Sequence, residues 1–444
     1  MKRNALFALA VLSAAAAGAQ AADVTVYGQA NVSLYYQDTK SGDSSLTMQN
    51  EASRVGLRAH EALTDETDVF VHLETGYGLD DGTLTENGRN NTGTTLFDRR
   101  AFLAVKHKRF GELAMGRMGT VRSSMAPYGY ALGMLDPFGT NYGPDGSISG
   151  MFGNDTRGNN TITYMAPKVG GFSGGVSYSM AAYDNEDPGA GHNDRHLSVM
   201  ANYANGPLYV VAAATEARWG KDHSAGSDKG YAYEREDGRA YTVGATYELN
   251  PSWKLFVAAQ YHQDWRNVAA WNIDSYHAGS NDDLLHGIDG TTALVGFSWQ
   301  VSGPWRILAD YMYFDGEHKL GDGSKESATR HIVNGAVEYW FSKRTRVFTT
   351  LSWSTPTGRP SRDSTPRVKS WAGSGGGSAW AARSSPTASS WGGPRGRRLR
   401  RWRKGETRFG APARSSPYRT GEKSPGLPKS AGIFTPPGAV SGDS

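Results

Sequence analysis

The chain has 444 residues with a formal net charge of +4, and it contains 56 glycines and no cysteine. The absence of cysteine excludes disulfides, thiolate metal sites and cysteine nucleophiles. The mean hydropathy of -0.53 is that of a polar chain, and no segment after the N-terminal region reaches the roughly 18 consecutive apolar residues that a membrane helix needs.

The first 21 residues have the pattern of an export signal. Lys2 and Arg3 precede an apolar stretch over residues 5–17, and the small residues Ala19 and Ala21 suit a signal peptidase. We therefore predict a signal peptide over residues 1–21 that is cleaved after Ala21. An uncleaved membrane anchor would need a longer apolar core.

The segment over residues 24–36 alternates apolar and polar side chains. Because successive side chains of a strand point to opposite faces, its two faces separate cleanly by polarity. One face carries Val24, Val26, Ala30, Val32 and Leu34, and the other carries Thr25, Gln29, Asn31 and Ser33. An apolar face toward lipid and a polar face toward water are typical of a membrane barrel. The pattern predicts an all-β, antiparallel transmembrane barrel over residues 22–353.

Similar segments recur along the chain and predict fifteen strands. Their ranges are 24–36, 53–62, 67–77, 97–107, 112–118, 157–166, 171–183, 195–205, 207–218, 239–249, 252–264, 290–301, 304–315, 330–341 and 344–353. Short connections rich in turn-forming residues alternate with long polar ones. Outer-membrane barrels have short periplasmic turns and long extracellular loops, so odd-numbered strands are expected to run outward.

Aromatic residues cluster beside the short connections. Trp253 and Trp305 follow such turns, and Trp340 and Phe341 precede one. Aromatic rings at these positions are typical of the girdle that a barrel places at a membrane interface.

Several segments resemble the general diffusion porins of Gram-negative bacteria, of the neisserial and burkholderial type. They are the segments at residues 22–28, 53–58, 98–105, 111–117 and 157–164. The resemblance runs from residue 1 to about 353. It implies a sixteen-stranded, water-filled barrel, usually a homotrimer in outer-membrane lipid, whose third extracellular loop folds inward to narrow the channel.

Residues 119–156 occupy the place of that inward loop. Asp136, Pro137, Phe138 and Gly139 are similar to the loop motif of the family, with the acidic residue and the proline exchanged in order. We expect them, together with Asp145, to form the loop side of the constriction.

The opposite side of the constriction is predicted to be basic. Arg54 and Arg58 lie opposite in parity to Val55 and Leu57 and should face the lumen, because an arginine facing lipid costs about 2–4 kcal/mol at the midplane. Arg100 has luminal parity as well, whereas Arg99 matches the family position better, so both remain candidates. Arg157 completes the set.

These wall arginines and the loop carboxylates Asp136 and Asp145 would set up a transverse field that orients solutes and sorts ions. The alternative is that some of the arginines pair with loop carboxylates and hold the loop down. Both roles can coexist, and the pattern leaves the preferred ion open.

Nothing in the pattern indicates catalysis. His60, His72 and Glu74 could project into the lumen, but no nucleophile motif accompanies them, so they are interpreted as solvated polar residues. The acidic pairs Asp80-Asp81 and Asp282-Asp283 match no defined calcium loop. We therefore expect no enzymatic activity, no cofactor and no metal site.

The character of the chain changes after Trp353. Residues from 354 onward carry 17 Lys plus Arg against 4 Asp plus Glu, whereas the preceding residues carry 30 against 39. We predict that the segment 354–444 is disordered and lacks the sixteenth strand. We also predict that it arose from a shifted reading frame. A barrel wall that is left open by the missing strand would assemble poorly. Binding of nucleic acid is not expected of an exported chain.

The leading interpretation is a passive outer-membrane channel for small hydrophilic solutes and ions. The alternatives are a substrate-specific channel, a plugged surface barrel or adhesin, and an outer-membrane hydrolase. The last would require a Ser and His pair that faces lipid, and the strand pattern indicates none.

Overall fold

The computed structural model describes residues 23–38, 44–84, 96–125, 127–128, 130–139, 148, 151–153, 157–182, 189–220, 237–265, 285–320, 324–355 and 367–373. The predicted signal peptide lies outside these residues and stays a prediction. Among the described residues, no helix is both long and apolar enough to cross a bilayer.

The described residues form a single antiparallel sheet of eighteen strands. The strands are β1 (Asp23–Gln29), β2 (Val32–Asp38), β3 (Ser44–Asn50), β4 (Arg54–Thr64), β5 (Thr67–Gly76), β6 (Arg100–His107), β7 (Gly111–Gly119), β8 (Arg157–Met165), β9 (Phe172–Ser179), β10 (Arg195–Asn205), β11 (Leu208–Arg218), β12 (Gly238–Asn250), β13 (Trp253–Trp265), β14 (Leu285–Ser302), β15 (Trp305–Leu320), β16 (Lys325–Trp340), β17 (Arg346–Ser354) and β18 (Arg367–Gly373). One short helix, α1 (Leu132–Leu135), lies between β7 and β8, and a 3₁₀ turn (Ala190–His192) precedes β10.

The eighteen segments correspond to sixteen wall strands. β1 and β2 are two parts of one wall strand that is interrupted at Ala30 and Asn31. Their partners β4 and β3 are separated in the same way near Ala52, whose φ of 57° breaks the extended backbone. The fifteen predicted strands are all present. β3 was not predicted, because its residues lie in the long polar connection between the predicted strands 24–36 and 53–62.

β18 closes the wall. Residues 367–373 pair with β17 on one side and with β2 on the other. The prediction that the chain lacks a sixteenth strand is therefore wrong: a seven-residue segment, Arg-Val-Lys-Ser-Trp-Ala-Gly, is long enough to bridge the two open edges. β18 also runs back toward the end of the wall with the tight turns, since Gly373 pairs with Phe348 near the start of β17. Residues 356–366 and 374–444 of the tail lie outside the described residues.

The two faces of the wall have the polarity expected of a barrel in lipid. In β13, the apolar side chains Leu255, Val257 and Tyr261 are exposed on the outer face, while Gln260 and His262 are buried on the inner one. This arrangement inverts that of a soluble protein and repeats in neighbouring strands. An exposed apolar surface of this extent is explained by contact with the hydrocarbon of a membrane.

Aromatic rings pair beside the tight turns. Trp253 stacks on Trp299 with ring centroids 4.9 Å apart, and Trp305 meets Tyr339 edge to face at 4.8 Å. Trp340 is an exception to the predicted girdle. Its indole N–H donates to the carboxylate of Glu338 on the inner face at 2.9 Å, so Trp340 belongs to the lumen.

The closing strand generates a first prediction. A chain truncated after Thr355 leaves β2 and β17 with unpaired backbone groups in lipid, where each costs several kcal/mol. We expect this variant to lose the folded, heat-modifiable band on gels of outer-membrane fractions. The control is a chain truncated after Gly373, which keeps β18 and should fold in normal yield. Equal folding of both truncations would contradict the role of β18.

Candidate pore constriction

A cluster of arginines surrounds one carboxylate on the inner face of the wall. Glu74 in β5 is fully buried. The Nε of Arg99 lies 2.9 Å from its Oε1, and Nη1 of Arg100 lies 3.4 Å from its Oε2. Arg54 approaches the same Oε2 at 3.8 Å, and the Tyr27 hydroxyl donates to it at 2.6 Å. Three guanidinium groups therefore share one negative charge, and the cluster has a positive surplus.

The start of β6 explains how neighbouring arginines reach the same carboxylate. The strand begins at Arg100, which pairs directly with Glu74 in the register and so shares its face. Arg99 precedes the strand and is not bound by strand alternation. Its backbone N–H donates to the carbonyl oxygen of Glu74 at 3.2 Å, which turns the side chain inward. The two candidates are thus both contacts of Glu74.

Arg58 is the predicted arginine most open to the lumen. Its side chain is exposed, and its guanidinium lies 4.4 Å from the centre of the Tyr27 ring. The Nε of Arg58 lies 3.5 Å from Nε2 of His72, which also bonds to the Tyr27 hydroxyl. The Tyr27 ring and the His72 side chain therefore hold the guanidinium of Arg58 in place, and neither of them neutralises its charge.

The other arginines are less accessible. The side chain of Arg54 is 22% exposed, whereas those of Arg99 and Arg100 are nearly buried. Arg157 opens β8, is buried and interacts electrostatically with Glu74 and Tyr27. Glu74 had been interpreted as a solvated residue. Alternation within each strand puts both Glu74 and Arg100 on the luminal face, and this was the signal that could have placed Glu74 in the cluster.

The described part of the segment between β7 and β8 packs against the inner face of the wall, and Asp136 is buried within it. Asp136 is 7% exposed, and its two carboxylate oxygens accept the backbone N–H groups of Phe138 at 2.9 Å and of Ile148 at 3.1 Å. The carboxylate therefore helps to fix the conformation of the loop, and its predicted role opposite the wall arginines stays a prediction. Asp145 lies outside the described residues.

The rest of the loop motif packs against the wall. Phe138 forms a buried apolar cluster with Leu308, Ala336 and Phe348. Pro137 is buried beside Gly296, where an added Cβ would lie 3.1 Å from the proline ring. Gly139 has a φ of +69°, a conformation that favours glycine. The motif therefore positions the loop tip against β14–β17, away from the arginine cluster on β4–β6.

A second anchor, missed in the sequence, holds the root of the loop. Arg122 is fully buried, and its guanidinium donates to Thr215 Oγ1 at 2.9 Å and to the carbonyl oxygen of Gly153 at 2.7 Å. Its charge lies 4.9 Å from the Trp265 ring. Gln260 also binds Gly153, accepting from its N–H at 2.6 Å. No local pattern marks Arg122, because its partners on the wall, Thr215 and Thr242, lie 93 and 120 residues away in sequence.

A buried tyrosine connects the loop to the wall near β7. The Tyr128 hydroxyl donates to Glu112 at 2.6 Å. Burial, followed by this acceptor, raises the pKa of Tyr128 well above its ordinary value. The hydroxyl therefore stays protonated and keeps its bond through the physiological range of pH.

Within the described residues, no group of His, Asp and Glu side chains is arranged to hold a metal ion. The arrangement consists instead of a polar lumen, a positive wall cluster and an inward loop. These features suit the passage of solutes.

Comparisons with known proteins agree with this architecture. Residues 8–357 match the family described as Gram-negative porin. The chain belongs to the Gram-negative porin family. It is an outer-membrane porin, a non-enzymatic channel for diffusion of small hydrophilic solutes, and the predicted fold, activity class and location are confirmed.

The porin has distant relatives among curated proteins. An outer membrane porin protein of Bordetella pertussis is 24% identical over 381 residues, which cover 78% of this chain and 93% of that one. Outer membrane porin protein 32 of Delftia acidovorans is 29% identical over 367 residues, covering 80% and 89%. Among solved structures, an anion-selective porin from Comamonas acidovorans superposes with a TM-score of 0.57 at 20% identity, covering 81% of this porin and all of that chain.

The loop anchor generates a second prediction. Arg122→Met removes the hydrogen bonds of Arg122 to Thr215 and Gly153. The loop should therefore spend a smaller fraction of the time packed against the wall. We expect a larger and noisier single-channel conductance in planar bilayers from a barrel that still folds. The matched control is Arg239→Met, because Arg239 pairs with Glu216 on β11 and is partly exposed. An unchanged conductance in Arg122→Met would show that the loop is held without this anchor.

Proposed function

We propose that the porin is a passive, anion-preferring diffusion channel of the neisserial and burkholderial type. The observation that carries this proposal is the surplus of guanidinium groups around Glu74, together with the exposure of Arg58. A pore with low-dielectric walls focuses the field of such charges and raises the local concentration of ions of opposite sign.

The position of the loop carboxylate supports the same preference. Asp136 is buried, and its oxygens are used by backbone N–H groups, which lowers the negative potential that it projects into the pore. The solved porin from Comamonas acidovorans is described as anion-selective, which agrees with the proposal.

In this proposal the arginines differ in their contributions. Arg58 and Arg54 act directly on passing anions, while Arg99, Arg100 and Arg157 supply a fixed positive background from within the wall. Pro137, Phe138 and Gly139 set how far the loop narrows the pore. Asp145 remains a candidate for the loop side of the constriction.

A matched pair of substitutions tests the charge preference. Arg58→Gln removes a positive charge, and we expect the chloride-to-potassium permeability ratio to fall by about twofold to fivefold, as for one unit charge several ångströms away in water. Glu74→Gln removes a negative charge and should raise the ratio. The measurement is the reversal potential of a single channel in a potassium chloride gradient.

Arg109→Gln is the control for that experiment, because Arg109 is exposed in the tight turn between β6 and β7 and does not belong to the arginine cluster. It should leave the ratio unchanged. A wild-type channel that prefers potassium, or a shift of the same sign in both luminal variants, would overturn the proposal.

We also propose that the porin assembles as a homotrimer in outer-membrane lipid, with no nucleic-acid partner. Membership of the family supports this assembly. Chemical cross-linking of the porin in outer-membrane vesicles should end at species of three copies. If only the monomer is detected under conditions that cross-link a known trimeric porin, the proposed assembly is contradicted.

The origin of the tail is a further part of the proposal. The change from an acidic to a basic balance near residue 354 supports a shift of reading frame. The strand at residues 367–373 then fills the closing position with a short alternating segment from the basic region, Val-Lys-Ser-Trp-Ala.

A further inference from the structure

A second cluster of charged side chains lies on the inner face, away from the constriction. Glu338 in β16 is fully buried. The Nε of Arg306 lies 2.5 Å from its Oε2, and Arg346 binds its Oε1 through Nη1. The indole N–H of Trp340 donates to Oε2 at 2.9 Å. We call Arg306 and Arg346 the exit arginines.

The register places the exit arginines at the periplasmic end of the lumen. Arg306 is the second residue of β15, and Arg346 is the first of β17; both follow tight turns. Tight turns mark the periplasmic side of an outer-membrane barrel. The exit arginines therefore border the opening through which a solute leaves the channel.

The exit arginines also lie next to the tip of the inward loop. The guanidinium of Arg346 is 5.3 Å from the Phe348 ring, and Phe348 packs with Phe138 of the loop. A solute that has passed the loop tip thus meets these arginines next. The two clusters are separate, since the constriction lies on β4–β6 and this one on β15–β17.

The positive charges of the exit cluster are accessible, whereas the negative charge is not. The side chain of Arg306 is 31% exposed and that of Arg346 is 14% exposed, while that of Glu338 is 0% exposed. The Trp340 ring lies 5.7 Å and 5.2 Å from the two guanidinium carbons and supports both from one side. The guanidinium groups of this cluster therefore reach the water of the lumen, whereas its carboxylate does not.

We propose that Arg306 and Arg346 form a second anion-binding position, which holds small carboxylate anions briefly at the periplasmic exit. The planar fork of a guanidinium matches a carboxylate, as its contacts with Glu338 already illustrate. The partial exposure of Arg306 keeps such binding weak, which allows release. This inference rests on the proposed function in one respect, namely that anions enter the pore.

The test is block of single-channel chloride current by citrate added to one side of a planar bilayer. Wild-type porin should be blocked at lower citrate concentration from the periplasmic side than from the extracellular side. Arg306→Gln should raise the blocking concentration from the periplasmic side by about threefold to fivefold, as expected for one partly exposed ion pair. Block from the extracellular side should change little.

Glu338→Gln separates binding from a structural role. Loss of the buried carboxylate increases the net positive charge, so periplasmic block should strengthen, opposite to the effect of Arg306→Gln. The control is Lys254→Gln, because Lys254 has a comparable exposure of 29% near the same end but is paired with Glu248. It should leave the block unchanged. Folding of each variant is checked by heat-modifiable migration on gels.

The outcomes distinguish this inference from the proposed function. If wild-type porin prefers chloride but Arg306→Gln and Glu338→Gln both leave periplasmic block as it was, or weaken it equally, the exit position is refuted and the constriction proposal stands. If wild-type porin prefers potassium, the constriction proposal fails. A periplasmic block that still depends on Arg306 would then support the exit position by itself.

Discussion

The backbone of every wall strand must find all of its hydrogen-bond partners in neighbouring strands, because hydrocarbon offers none. The rest of the structure depends on this constraint. It requires an even, closed ring, and the ring is completed only where β18 pairs with both β17 and β2. Closure in turn fixes which side chains face inward, since each strand alternates its faces along its length.

A second constraint applies on the inner face, because the polar side chains there need hydrogen-bond partners. The inward loop provides some of these partners. Arg122 binds the wall through Thr215, and Gln260 binds the loop through Gly153, so polar groups of the wall become partners of the loop. Buried hydrogen bonds to a charged group are worth more than exposed ones. The loop that narrows the channel is therefore also what satisfies the polar wall behind it.

The sequence could predict which strand residues face the lumen, because side chains alternate between the two faces of a strand. It predicted that Arg54, Arg58 and Arg100 share the polar face of the wall with one another, because a period of two needs only local residues. It could not find Arg122 or the burial of Asp136, since both depend on contacts between distant segments. It also missed β18, whose seven residues are too short to stand out from a basic tail and gain their partners only from the two open edges.

The two luminal clusters follow one physical pattern. Each has a fully buried glutamate, Glu74 or Glu338, that binds more guanidinium groups than its single charge can neutralise. An unpaired set of arginines would repel one another and destabilise the wall, whereas full pairing would leave no field for solutes. A buried carboxylate offsets most of the repulsion and leaves a fractional surplus facing the water. Conduction requires attraction that is sufficient for entry and weak enough for exit, and such a surplus provides both.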